Sequence, residues 1–135
     1  MRYAVVPLLI VFATLLQAAP QTRQIRKIPC KTPANAASCY WTHGRLSFYN
    51  GTPAYRIWKI GTKRLLGVYS GPGSEKLNPL DNENPELPAN LAARYHTLGT
   101  AVFADFEVCP LAPERTGAMQ PVCIESAKHI FVKSY

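Results

Sequence analysis

Between Ala101 and Cys109 the chain reads AVFADFEVC, and Val102, Ala104, Phe106 and Val108 alternate with the acids Asp105 and Glu107. A period of two is the signature of a strand with one buried and one wet face. Such a strand has to sit in a sheet whose apolar side is covered. Other segments carry the same signal: Tyr40 to Tyr49 is dense in β-formers and ends at the turn Asn50-Gly51-Thr52-Pro53, while residues 54–60 and 64–69 read as two strands broken at Gly61-Thr62. Val122 to Val132 alternates at both ends and shifts phase near Ser126-Ala127, as a β-bulge would make it do. Residues 89–96 (ANLAARYH) are the one convincing short helix, with Pro88 suited to its start and Gly99 to its end.

Three strands, a helix and two strands is the element order of a small five-stranded OB-like Greek-key barrel, with an open sandwich or meander as the alternative. The fold is thus expected to be mainly β, with one short helix between strands 3 and 4. Ser70 to Pro88, rich in proline, glycine and acids, is a long connection for so small a domain.

The N-terminus sets the compartment. Arg2 precedes an uncharged run from Ala4 to Leu16 whose length fits the apolar region of a signal peptide better than a membrane span. Residues 1–19 are expected as a signal peptide, and an uncleaved anchor is the alternative, because Leu16 and Gln17 mark the cleavage site poorly. Residues 20–38 read as an extended lead-in, and residues 39–135 as the barrel domain, secreted or periplasmic. The four cysteines, Cys30, Cys39, Cys109 and Cys123, are then expected in disulfides. Cys109 and Cys123 lie symmetrically about Thr116 and Gly117 and share the parity of Glu107 and Glu125, which favours pairing them across a hairpin and leaves Cys30 for Cys39. Paired CxxC units are absent, so a metal site at these cysteines is a minor alternative, and no cofactor is expected.

The central stretch HGRLSFYNGTPAYRIWKIGTKRLLGV, with FEVCPL and VCIESAKHIFV, resembles small exported bacterial proteins of uncharacterised function that carry a similar HGRL, YNG, RIW and IGTKR series. The resemblance spans roughly residues 39–132 and implies a compartment and a kind of domain, but no reaction.

Charge points to a surface. Residues 20–74 hold nine lysines and arginines and no acid, whereas residues 75–135 hold eight acids against five basics. On the first strand Trp41, His43, Arg45, Ser47 and Tyr49 share one face, which Tyr55, Trp58, Lys59, Lys63 and Arg64 could extend. Rings beside cations can stack on a sugar or base and pair with an anion. For Tyr55 and Trp58, burial in the core or against the sheet is the commoner role. No GxSxG elbow, HExxH helix, Walker loop or dinucleotide fingerprint is present, and the sequon Asn50-Gly51-Thr52 is followed by Pro53.

A binding or interaction module is therefore expected, for an anionic polysaccharide, a lipid head group or an acidic protein, with nucleic acid ranked low because export separates the chain from it. The alternatives are an enzyme with an unfamiliar site near His43 and Arg45, using Asp105 or Glu107 as partner, and a structural envelope protein. An enzyme requires a concave pocket joining His43 to a carboxylate.

Overall fold

The computed structural model describes residues 26–95 and 99–135, so the expected signal peptide and His96 lie outside the described residues. Five strands form where the alternation placed them: β1 (Tyr40–Phe48), β2 (Tyr55–Lys59), β3 (Leu65–Val68), β4 (Thr100–Pro110) and β5 (Gln120–Ser134). They close into a barrel in the order β1-β2-β3-β5-β4, with β4 returning to pair with β1. Every pairing is antiparallel except β3 with β5, where Leu66, Gly67 and Val68 run parallel to Gln120, Pro121 and Val122. Closure leaves no free sheet edge and divides the side chains into an inner and an outer set.

The inner set is the core. Leu46, Ile57, Val68, Val102, Ala104, Phe106, Val108, Val122 and Ile124 are all fully buried. Gly44 belongs to the same row, and a Cβ there would come 2.5 Å from Ile57 Cγ2 and 3.1 Å from the Trp58 carbonyl oxygen. The barrel is packed to the backbone at that point.

Two short helices lie between β3 and β4, where one was expected: α1 (Ser74–Leu77) and α2 (Ala89–Ala92). The second is shorter than the expected 89–96, and its Leu91 is fully buried in the core beside Tyr95 and Tyr55. The first was invisible to apolar periodicity because polar bonds hold it. Ser70 and Ser74 donate their hydroxyls to the buried Asp81 carboxylate, and the Ser70 amide donates to it at 3.1 Å. The long connection is thereby folded around one satisfied buried charge.

Of the segment expected as a lead-in, residues 26–38 attach to the barrel at several points. The Arg26 guanidinium donates to the carbonyl oxygens of Ile28, Ser70, Glu86 and Ile124, and Glu86 accepts from the amides of Lys27 and Ile28. Ile28 and Cys30 are buried. Burial pulls the Arg26 pKa below its usual value, against the opposing pull of Glu125, Glu86 and Asp81.

All four cysteines are in disulfides, but the favoured pairing is corrected: the bonds are Cys30–Cys123 and Cys39–Cys109. Cys109 and Cys123 do face each other in the β4–β5 ladder. However, Cys39 immediately precedes Tyr40, which pairs with Val108, so it stands beside Cys109 from the β1 side. The N-terminal segment then carries Cys30 over to Cys123. Both strand cysteines take the outer parity, as Glu107 does, yet they are fully buried because this segment covers them. Two disulfides fit an oxidising environment. Among the described residues no helix is long and apolar enough to cross a membrane.

Two outcomes follow for the fold. Gly44→Ala should lower the unfolding free energy by about 1–3 kcal/mol, read from the midpoint of urea unfolding, because Ile57 has no free space to retreat into. Peptide mapping of the non-reduced protein should recover Cys30 linked to Cys123 and Cys39 linked to Cys109, and a Cys109–Cys123 cross-link would overturn the arrangement.

Candidate functional site

Register assembles the outer surface. Arg45 of β1 pairs with Trp58 of β2 on one side and Phe103 of β4 on the other, and Phe103 pairs with Phe131 of β5. One row around the barrel is therefore aromatic, cationic, aromatic, aromatic. The Arg45 guanidinium lies 5.4 Å from the Trp58 ring centre, and one of its nitrogens donates to the Tyr49 hydroxyl at 3.3 Å. Arg56 in turn lies 5.0 Å from the Tyr49 ring. Trp58, Arg45, Tyr49 and Arg56 thus form a continuous chain of cation–ring and hydrogen-bond contacts. Phe131 stands out at 62% exposure, its ring 6.3 Å from that of Phe103.

The adjoining row carries His43, Asp105 and Lys128 in register. His43 Nδ1 is 2.9 Å from one Asp105 oxygen and His129 Nδ1 is 2.7 Å from the other. Hydrogen bonds from His129 and then His43 hold the Asp105 carboxyl below its usual range. Beyond it, Trp41 is 46% exposed with the Lys128 ammonium 4.1 Å from its ring centre. Glu107 is occupied by Lys31 at 2.5 Å and by the Ser126 hydroxyl at 3.0 Å, which hold its carboxyl low as well, the lysine bond most strongly.

Trp41, His43, Arg45, Tyr49 and Trp58 are thus brought to one surface. The other residues expected to extend it are not. Tyr55 points inward, is 8% exposed and packs on Tyr95, so it belongs to the core. Lys59 takes the inward parity of Tyr55 and Ile57 and lies 5.0 Å from the Tyr40 ring. Lys63 is exposed in the β2–β3 turn, and Arg64 is neutralised by Glu114 at 2.8 Å.

Sequence reasoning missed Phe103, Lys128, His129 and Phe131 as members of this surface. Phe103 shares the parity of Asp105 and was legible. The β5 residues were hidden by irregular register, which shifts between Phe103/Asp105 and between Glu107/Val108. Two residues of β5, His129 and Ile130, there face the single Ala104, and His129 adopts φ 53°.

The chemistry of the surface follows from how its charges are partnered. Among the described residues five cation–π pairs occur: Arg45–Trp58, Arg56–Tyr49 and Lys128–Trp41 on this surface, and Lys59–Tyr40 and Lys133–Tyr135 besides. Among the described residues none of these five cations has a carboxylate within 4.0 Å. A ring positions a cation without cancelling its charge, so Arg45, Arg56 and Lys128 stay able to pair with an anion.

A cleft of about 620 Å³ lies elsewhere, between the 71–82 loop and Tyr69, Leu111 and Pro121. It shares no lining residue with this surface, and the His43–Asp105 pair does not open into it. No protein-family model, curated protein or solved structure matches the chain.

Because the Asp105 pKa is depressed, the stabilisation from its histidine bonds is complete above the unfolded-state value near about 4 and is lost as pH falls through the lower folded value. A carboxyl-detected NMR titration should place Asp105 below the ordinary aspartate range, and His129→Ala with His43→Ala should move it back up. An unchanged titration in the double variant would show that the two bonds are not the cause.

Proposed function

We propose that the chain is an exported binding module whose barrel, of the OB type, holds an anionic polysaccharide on the outer surface of β2, β1, β4 and β5. The observation that carries this reading is the set of cations held over aromatic rings and left without carboxylate partners. Exposed flat rings such as Trp41 and Phe131 suit the faces of sugar rings, and Arg45, Arg56 and Lys128 beside them suit their acidic substituents. The strand order supports an OB-type barrel. The uncharged, apolar run from Ala4 to Leu16 behind Arg2 and the two disulfides support export. The resemblance of the HGRL, YNG, RIW and IGTKR series to small exported bacterial proteins agrees with that compartment.

Catalysis at His43 is the weaker reading. His43 and Asp105 make the dyad a general base would need, but the His43 side chain is 56% exposed on a convex sheet. Acid–base catalysis gains most where water is excluded.

Binding should be measured on an immobilised polymer of uronic acid, with an uncharged glucan as control. Retention at low salt, release as salt screens the contact, and a loss on the order of tenfold in affinity for Arg45→Gln with Lys128→Gln are expected. Equal binding by the double variant, or equal retention on the uncharged glucan, would sink the proposal.

A further inference from the structure

The strongest unassigned feature is the meeting of His43, Asp105 and His129 on three adjacent strands. Regular alternation along β5 would send His129 to the opposite side of the sheet from Lys128, which pairs with Asp105. The bulge at His129 and Ile130 breaks that alternation, and the left-handed backbone of His129 keeps its ring outside, 75% exposed and bonded to Asp105. Such a backbone is strained for a non-glycine residue. Histidine tolerates it better than most. A local cost spent on laying a second imidazole on one carboxylate calls for a use, and a hydrogen bond at an exposed site returns little.

We propose that His43, Asp105 and His129 form a binding site for one borderline divalent cation of the Zn²⁺, Cu²⁺ or Ni²⁺ class. Two imidazoles and one carboxylate are a donor set that such ions take, with positions left open. Each ring presents one nitrogen to its own Asp105 oxygen, at 2.9 and 2.7 Å. As they stand, the donor atoms of the three residues do not all lie within 4.8 Å of one another, so ligation requires both imidazoles to leave their Asp105 bonds and turn toward a common point. Both are more than half exposed, so the turn meets solvent and not packed side chains.

The surroundings leave the carboxylate available. Lys128, its register neighbour on β5, is held over the Trp41 ring, and the next carboxylate along β4, Glu107, is engaged by Lys31 and Ser126. The coordination positions that the protein leaves unfilled face solvent and would take water or an oxygen donor of a ligand. The site stands whether or not the surface binds a polysaccharide.

The test is calorimetric titration of the full chain with Zn²⁺ at neutral pH, with Cu²⁺ binding followed in parallel by electron paramagnetic resonance. One ion per chain is expected, with nitrogen hyperfine structure on copper. His43→Ala and His129→Ala should each weaken binding at least about tenfold. His96→Ala should leave it unchanged, which separates this site from the third histidine of the chain. His129→Ala leaves alanine in a left-handed backbone that histidine tolerates better, so urea unfolding in the absence of metal checks that both variants keep the fold. An isotherm unaltered in the His43→Ala/His129→Ala double variant, binding lost in His96→Ala, or no binding of any of the three ions would each overturn the proposal.

Discussion

The short parallel pairing of β3 with β5 is the contact on which the rest of the molecule depends. The other ladders are antiparallel and would by themselves give only a curled open sheet. The three rungs from Leu66–Gln120 to Val68–Val122 join its ends, and with them the chain acquires an inside. Phe106, Val102 and Ile57 are buried because of that closure, and Arg45, His43 and Trp41 face solvent as a group for the same reason. Parallel strands need a long crossover. Here β4 and the helical connection supply it, with Leu91 of α2 returning to the core.

Strands and parity were legible because they depend on local alternation alone. Leu46 and Gly44 inward with Arg45 and His43 outward could be written from residues 40–49 without knowing what β1 pairs with. The disulfides were not legible in this way. Parity correctly put Cys109 and Cys123 on the outer side, but choosing partners required knowing that β1 flanks β4 and that the N-terminal segment crosses both strands. The same limit hid α1, whose order comes from Asp81 and two serines well separated in sequence. Within the candidate site, β1 and Trp58 could be read, whereas His129 could not, since a single extra residue in β5 decides which side it lies on. Composition marked Tyr55 and Lys59 as candidates, but their inward parity on β2 removes them from the outer surface.

Aromatic residues play two separate roles in this chain. Tyr55, Tyr95 and Phe48 fill the barrel near α2, the two tyrosine hydroxyls subordinate to packing; burial raises the Tyr95 pKa far above the usual phenol range. Trp41, Tyr49 and Trp58 instead lie against cations on the outside. A lysine held over a ring loses mobility but keeps its charge, so it meets an incoming anion already positioned, with less side-chain entropy left to surrender.

The nested disulfides also impose an order on biogenesis. Cys30 and Cys39 emerge together at the front of the growing chain, yet each must wait for a partner near its end, 93 and 70 residues later. A chain oxidised while only its first half is available can form just one bond, Cys30–Cys39, and it is the wrong one. The finished pattern can close only once Cys123 has come within reach of Cys30, so its completion waits on the last cysteine of the chain.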